Sequence, residues 1–199
     1  MSYPDFFNKI ESIKVKDPLS QLLGAFNDGE YEFSYLEIVK AAGHSCPTVA
    51  GAYIITLKAL EILYPEQRAV RGNIKVEFKE SLEEGVSGVI SNVVTHITGA
   101  TDISGFKGLK GQFSRHSLMY FNVDINTSAR FTRIDNGESV DITYSPDLIK
   151  PNPIMMELMK KVIVKQATQD ELYKFSSLWQ DRVKRIFENI DDVVEINNL

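Results

Sequence analysis

The longest apolar pattern in the chain covers residues 48–64, where apolar side chains recur at helical spacing and predict the principal helix. Shorter patterns of the same kind, several of them preceded by a polar capping residue, predict the remaining helices. These lie at 6–13, 19–26, 34–42, 152–165 and 168–189. Residues 86–98 fit one face of a helix better than the alternation of a strand, and Gly99 follows as a helix end.

Alternating apolar and polar residues predict the strands. The clearest is 74–78, where every second residue is apolar. Extended segments are expected at 30–33 and 118–123, and a β-hairpin over 129–144 turns at an Asp-Asn-Gly sequence. We therefore predict an α+β fold in one structural domain. A core occupies 1–125, and a C-terminal hairpin with helices occupies 126–199 and packs on the core or on a second copy.

The composition of the chain argues against several classes of protein. The chain has 199 residues, 43% of them hydrophobic and 25% charged, which is typical of a globular protein. A formal net charge of −5 argues against nucleic acid as a partner. A single cysteine cannot form an intramolecular disulfide, so we expect a reducing, cytoplasmic location. The first residues lack the pattern of a secretory signal, and no apolar run reaches the roughly 20 residues that span a membrane.

The segment 43–47 reads Gly-His-Ser-Cys-Pro and immediately precedes the principal helix. Proline is favoured at the first helical position, which makes Cys46 the expected N-cap. Free backbone N–H groups and the helix dipole favour a thiolate there. With His44 two residues earlier, the pair suits zinc, iron, nickel or copper rather than calcium or magnesium. The alternative is a small buried thiol beside an ordinary polar histidine.

A helix, a glycine turn at Gly43 and a second helix also outline a DNA-binding helix-turn-helix. The second helix, however, carries only Lys58 as a cation, whereas a recognition helix places polar and basic groups in its first turn. The sequence therefore does not favour this interpretation.

Further candidate site residues lie between 92 and 116. His96 and His116 are candidate third and fourth metal ligands, with Asp102 or water as alternatives. The glycine-rich segment 102–114 lacks the Gly-Lys-Ser/Thr ending of a nucleotide-binding loop. Lys107 and Arg115 are instead candidate cations for an anionic ligand, which arginine would bind through two hydrogen bonds.

Gly-His-x-Cys-Pro followed by a small-residue, apolar helix resembles the signature of the FmdE family, which is named for a component of formylmethanofuran dehydrogenase. Later stretches resemble that family in the same order: Arg-Gly-Asn-Ile-Lys-Val at 71–76, Ile-Thr-Gly-Ala-Thr at 97–101, Gly-Phe-Lys-Gly-Leu at 105–109, and a closing helix over 171–196. Two positions depart from the family pattern, because Asn92 stands near its usual aspartate and Ala100 near its usual cysteine. The paired cysteines of the C-terminal zinc finger found in some members are absent from this sequence.

The resemblance implies a stand-alone, homodimeric protein connected with one-carbon metabolism. It implies a transition metal, zinc first and iron or nickel next, held by His44 and Cys46 with further ligands from His96, His116, Asp102 or water. An open coordination position beside Lys107 and Arg115 would allow Lewis-acid chemistry or the binding of a small anionic ligand.

Two alternatives remain open. In the first, Cys46 is a metal-free nucleophile paired with His44. In the second, the protein is a non-catalytic accessory subunit in which Cys46 serves packing alone.

Overall fold

The computed structural model describes residues 2–198. Seven α-helices and eight strands follow one another along this part of the chain. The helices are α1 (Pro18–Leu22), α2 (Tyr35–Ala42), α3 (Pro47–Leu63), α4 (Ser87–Thr98), α5 (Pro153–Ile163), α6 (Gln169–Glu188) and α7 (Ile190–Val193). The strands are β1 (Ile13–Lys16), β2 (Glu30–Phe33), β3 (Ala69–Val70), β4 (Ile74–Phe78), β5 (Met119–Tyr120), β6 (Ala129–Arg133), β7 (Ser139–Tyr144) and β8 (Val194–Asn198). The predicted α+β fold is confirmed.

Two mixed sheets organise these strands. The smaller has the order β2-β1-β3, with β2 antiparallel and β3 parallel to β1. The larger has the order β5-β4-β6-β7-β8, in which only the β4–β5 pair is parallel. Strand β4 pairs with β6 from Ile74↔Arg133 to Phe78↔Ala129. The larger sheet thus joins segments on both sides of residue 125.

Helix α3 is the centre of the core. Twelve of its residues are buried, which a helix shows when it is covered on nearly all sides. It packs against α4, α6 and strand β7. The hydroxyl of Tyr53 in its middle shares its proton between the backbone oxygens of Glu11 and Phe33, at 2.7 and 2.9 Å. These bonds fix α3 against the N-terminal segment and β2.

The local capping signals are confirmed. Ser34 and Glu37 form a reciprocal capping box at the start of α2, and Gly43 ends that helix with a φ of +78°. Cys46 is the N-cap of α3, with Pro47 at the first helical position. Helix α4 ends at Gly99, where φ is +76°. Each of these signals lies within a few residues of the group that it caps, so the sequence alone is enough to predict it.

Four boundaries differ from the sequence prediction. Only Asp5–Lys9 is helical near the N-terminus, as a 3₁₀ helix, and Ile13 belongs to β1, where it pairs with Phe33. Helix α1 stops at Leu22 rather than 26, and strand β5 has two residues rather than six. The closing helix does not continue to 196, because residues 194–198 form β8 on the edge of β7. In β1 and β8, tertiary strand pairing decides the structure over local helical spacing.

No helix in residues 2–198 is both long enough and apolar enough to cross a membrane.

Candidate functional site

The candidate site is built on Asp17, the N-cap of α1. Its Oδ1 accepts hydrogen bonds from the backbone N–H groups of Leu19 (3.0 Å) and Ser20 (3.2 Å), as expected where Asp-Pro opens a helix. The backbone N–H of Asp17 donates to the oxygen of Gly29 at 2.8 Å. The carboxylate is therefore held in one position, and its side chain is buried.

Three further side chains converge on this carboxylate and complete what we call the Asp17 cluster. Nη2 of Arg115 donates to Oδ1 at 2.6 Å, and Nη1 of Arg71 donates to Oδ2 at 2.9 Å. The Tyr31 hydroxyl donates to Oδ2 at 3.2 Å and accepts a hydrogen bond from Arg71 Nη1 at 2.7 Å. Arginines that pair with a buried carboxylate form the stronger, charge-assisted kind of hydrogen bond.

Arg71 and Arg115 differ in how fully they are bonded. Besides Asp17 and Tyr31, Arg71 donates through Nε to the oxygen of Ile97 and through Nη2 to the oxygen of His96, at 2.9 and 3.0 Å. The Arg115 side chain is only 9% exposed, yet within residues 2–198 its guanidinium makes one hydrogen bond, the one to Asp17. Its Nη1 is buried, and none of the described residues accepts a hydrogen bond from it.

The room for the Arg115 guanidinium comes from two glycines with positive φ. A Cβ on Gly72 would lie 2.2 Å from Arg115 Nη1, and a Cβ on Gly99 would lie 3.0 Å from the same atom. The backbone of Arg115 is fixed as well, because Thr101 donates to its oxygen through both N–H (2.9 Å) and hydroxyl (2.7 Å). The guanidinium therefore lies in a slot that any larger residue would fill.

Electrostatics in the cluster follow from this geometry. Burial alone would raise the pKa of Asp17, but Arg115, the Ser20 amide and Arg71 together hold that pKa below its ordinary value. Burial lowers the pKa of Arg115, and the Asp17 charge offsets part of this effect. Two guanidiniums thus face one carboxylate, which leaves a net positive charge on the cluster.

The cluster lines an open cleft of about 820 Å³, which we call the Arg115 cleft. Its apolar walls come from α1, the loop that follows it, β2 and the loop between α4 and β5, namely Leu19, Phe26, Tyr31, Phe33 and Phe106. His96, Thr95 and Thr101 add polar groups. Aromatic walls with a few convergent polar groups are the usual composition of a small-molecule site.

Two glutamates also line the cleft, but each is engaged elsewhere. Glu37 accepts from the N–H and the hydroxyl of Ser34 in the capping box, at 2.8 and 2.7 Å. Glu32 accepts from the Ser12 hydroxyl at 2.6 Å and lies 3.7 Å from Arg68. The hydrogen bonds from Ser34 lower the pKa of Glu37, which therefore stays negatively charged, whereas Arg68 balances part of the Glu32 charge.

His44 and Cys46 lie at the turn between α2 and α3. Cys46 Sγ caps α3 by accepting from the Val49 N–H at 3.4 Å, and His44 Nδ1 contacts the oxygen of Ala42 at 3.0 Å. Ser45 between them is tied to α6, since its oxygen accepts from Trp179 Nε1 at 3.1 Å. The hydrogen bonds of residues 2–198 do not include one between His44 and Cys46, so the nucleophile hypothesis stays a prediction.

The two candidate histidines of the 92–116 region lie in different places. His96 on α4 and His44 line the same cavity of about 340 Å³ between α2 and α4, which we call the histidine cavity. Burial and the charge of Arg71 lower the pKa of His96. His116 lies outside this cavity, and its Nδ1 contacts the Ser117 hydroxyl at 3.0 Å.

The other site residues predicted from the sequence, Arg115, Lys107 and Asp102, also lie in different places. Arg115 is in the cleft, whereas Lys107 is exposed and is not among the residues that line it. Asp102 accepts hydrogen bonds from the N–H and hydroxyl of Ser104, which lower its pKa. Across residues 2–198, no group of three or more His, Cys, Asp or Glu side chains is placed to share a metal ion.

Sequence reasoning missed Asp17, Tyr31 and Arg71 as site residues. Asp17-Pro18 is recognisable as a helix start, and Arg71 as part of the segment before a strand, but neither pattern indicates a binding site. The partnership of Asp17 with Arg71 spans 54 positions, and that of Asp17 with Arg115 spans 98. No local spacing signal exists for contacts at such separation.

Comparison with known proteins gives only distant likenesses, among solved structures. No family model matches the chain, and no curated protein matches it. Among solved structures, the chain is similar to a tungsten formylmethanofuran dehydrogenase FmdE-like protein from Syntrophus aciditrophicus. The TM-score is 0.43 at 13% sequence identity, and the match covers 84% of this chain and 72% of that one. This likeness assigns no residue role and no activity to the present protein.

Proposed function

We propose that the protein binds a small organic anion with an aromatic or apolar body in the Arg115 cleft. Arg115 donates to the anionic head group, and the rings of the cleft contact the body of the ligand. The observation that carries this proposal is the incomplete bonding of Arg115, whose guanidinium makes one hydrogen bond within residues 2–198 although its side chain is only 9% exposed.

Buried charged groups are normally paired and hydrogen-bonded at most of their donors. A guanidinium carries five N–H donors, and the Asp17 bond uses one of them. A carboxylate or phosphate that accepts from the free donors would satisfy the group and neutralise the net charge of the cluster. Arginine recognises such anions through two parallel hydrogen bonds, which fixes their orientation as well as their position.

The walls of the cleft favour a carboxylate that carries a ring. Phe26 stacks on Tyr31 with ring centroids 4.7 Å apart, and both rings line the cleft with Phe33 and Phe106. Phe26 and Phe106 are partly exposed, so a flat ligand would remove apolar surface from water. Offset stacking between rings adds about 0.5–1.5 kcal/mol beyond area burial.

Titration calorimetry with three matched probes tests the proposal. Benzoate and phenyl phosphate carry an anion on a ring, and benzamide is the neutral control. We expect the two anions to bind and benzamide to bind at least about tenfold more weakly, since hydrogen bonds to charged groups contribute about 1.5–3 kcal/mol. Equal affinity for benzoate and benzamide would exclude recognition of the charge.

A second candidate function is favoured by the histidine cavity. We propose that a transition metal, zinc first and iron or nickel next, binds between His44 and His96, which both line this cavity, whereas Cys46 is not among its lining residues. Imidazole is a ligand that these metals prefer. One chain supplies fewer than the three or four protein ligands of most zinc sites. Water, or a residue of a second copy in a homodimer, would complete the coordination shell.

Elemental analysis of untagged protein tests this second candidate independently of the cleft. We expect near-stoichiometric metal in the wild type and in His116→Ala, and its loss in His44→Ala and His96→Ala. His116→Ala is the matched control because His116 lies outside the histidine cavity. Loss of the metal in His116→Ala, together with its retention in His96→Ala, would contradict the assignment. Absence of metal after reconstitution with zinc, iron and nickel would exclude the site.

A further inference from the structure

The Arg115 cleft has room for a ligand longer than a single ring. Its volume of about 820 Å³ lies near the upper end of the range of about 300–1,000 Å³ that is usual for ligand sites. Sites of that size bind drug-sized molecules, whereas benzoate is only a head group with one ring. The side chains along two rims of the cleft indicate what the rest of a ligand would contact.

The first rim is formed by α1 and the turn that follows it. Leu19 lines the cleft, and the N–H of Leu23 donates to the oxygen of Leu19 at 3.0 Å, so the spacing between them is helical. Side chains three and four positions apart lie on one face of a helix, which places Leu22 and Leu23 beside Leu19. They are 58% and 65% exposed. The chain turns at Gly24, where φ is +72°, and Phe26 lines the cleft again.

The second rim is the segment 106–112. Phe106 lines the cleft, and both Phe106 and Leu109 are 44% exposed. Leu109 and Gln112 exchange two backbone hydrogen bonds, of 2.8 and 3.0 Å. Lys110 and Gly111 between them have φ values of +50° and +83°, which is the conformation of a two-residue hairpin turn. The second rim is therefore a defined turn with two apolar side chains at its surface.

The charged groups of the Asp17 cluster lie at one end of this apolar surface. The Arg115 N–H donates to the oxygen of Phe106 at 2.8 Å, so the second rim begins next to the anion site. Arg71 also lines the cleft, and its side chain is 20% exposed. Positive charge beside exposed apolar side chains matches an anion with an apolar chain, because the chain removes those side chains from water.

We propose that the ligand of the Arg115 cleft is a carboxylate with a long apolar chain. This inference rests on the proposed function, because the carboxylate is the anion that Arg115 binds. The chain leaves the cleft between the two rims. It contacts Leu22 and Leu23 of the first rim, and Phe106 and Leu109 of the second. All four side chains are exposed, so a ligand reaches them without any change in the core.

Calorimetry with benzoate, 4-butylbenzoate and 4-octylbenzoate tests the proposal, with 4-octylbenzamide as the neutral control. A fully buried CH₂ group changes affinity about fourfold, and a chain in an open cleft buries part of its surface. We therefore expect about tenfold tighter binding of 4-butylbenzoate than of benzoate, and a further gain for 4-octylbenzoate. Equal affinity of the three carboxylates overturns the long chain and leaves the proposed function standing. Absence of binding by all three contradicts the proposed function itself. Equal affinity for 4-octylbenzoate and its amide overturns the proposal as well.

Two double variants locate the chain. Leu22→Ser/Leu23→Ser removes the exposed apolar groups of the first rim, and Ile163→Ser/Val164→Ser is the matched control. Ile163 and Val164 are the last residue and the C-cap of α5, as Leu22 and Leu23 are of α1, and they are 70% and 58% exposed. We expect the gain in affinity from benzoate to 4-octylbenzoate to fall about tenfold in the first variant and to stay complete in the control. A complete gain in both Leu22→Ser/Leu23→Ser and Leu109→Ser overturns the assignment.

A second copy of the chain or a lipid surface would also cover these side chains, and the same double variant distinguishes the occupants. We expect the wild type and Leu22→Ser/Leu23→Ser to have equal sedimentation coefficients without ligand. A wild-type dimer that dissociates in the variant would assign the first rim to a second copy and overturn the proposal. Flotation of the wild type with phosphatidylcholine vesicles, lost in the variant, would assign it to a lipid surface and overturn the proposal too.

Discussion

Arg115 Nη2 donates to Asp17 Oδ1 at 2.6 Å across 98 positions of sequence. This contact joins the N-cap of the first α-helix to the segment that follows the glycine-rich loop. Asp17 is held by Leu19, Ser20 and Gly29, and Arg115 by Thr101, so both partners are positioned before any ligand arrives. Such preorganisation lowers the cost of ordering a binding site.

The slot around Arg115 depends on Gly72, and a matched pair of substitutions measures this dependence. Gly72 and Gly137 both have a φ of +80°, but a Cβ on Gly72 meets Arg115 Nη1, whereas one on Gly137 meets nothing within 4 Å. Both alanine variants bear the same backbone strain. We expect Gly72→Ala to lower the free energy of urea unfolding by about 1–3 kcal/mol more than Gly137→Ala, because overpacking adds to that strain.

Equal losses of unfolding free energy in Gly72→Ala and Gly137→Ala would show that the Arg115 side chain moves aside freely. That result would contradict a fixed guanidinium. A second measurement follows from the same pair. Benzoate affinity should fall in Gly72→Ala and remain unchanged in Gly137→Ala.

The lowered pKa of Asp17 predicts how stability responds to acid. Because the unfolded-state pKa of 3.8 lies above the folded-state value, the contribution of this group is complete above pH 3.8 and is lost as the pH falls through the folded value. Asp17→Asn removes the contribution at every pH. We expect the variant to be about 2 kcal/mol less stable than the wild type at pH 7. This difference in stability between the wild type and Asp17→Asn should become smaller as the pH falls below 3.8.

Urea unfolding from pH 7 to pH 2 measures this gap. Asp191→Asn, on an exposed carboxylate in the first turn of α7, is the control and should track the wild type closely. A gap between wild type and Asp17→Asn that stays constant with pH would show that the ion pairs do not lower the Asp17 pKa.

Local signals predict part of this structure, and tertiary contacts decide the rest. Cys46 as N-cap and the capping box of Ser34 with Glu37 could be predicted because all groups involved lie within three residues. Strand β8 could not be predicted, because residues 194–198 become a strand by pairing with β7 rather than through a pattern of their own. The sequence also could not show whether His96 or His116 lies near His44. The packing of α2 against α4 brings His96 to His44, and that packing is a tertiary contact.

His96 should report on the ligand through its titration. Burial and Arg71 hold its pKa below 6.5 in the free protein, while Glu37 opposes them. His96 lines the Arg115 cleft, so an anionic ligand there stabilises the imidazolium. We expect the pKa of His96 to rise when benzoate binds.

The chain has three histidines, so their imidazole NMR signals can be followed separately and assigned by His→Gln variants. The signals of His44 and His116, which do not line the cleft, are internal controls. A His96 pKa that does not change on saturation with benzoate would place the anion away from this side chain.

The most direct test of the central claim is benzoate affinity in Arg115→Met, compared with the wild type and with Arg130→Met. Arg130 pairs with Asp141 through two hydrogen bonds of 2.6 and 2.9 Å and lies outside the cleft, so its variant loses the same kind of ion pair at another place. We predict at least a tenfold loss of affinity in Arg115→Met, with circular dichroism confirming that both variants are folded, and wild-type affinity in Arg130→Met. Unchanged affinity in folded Arg115→Met would contradict anion binding by Arg115.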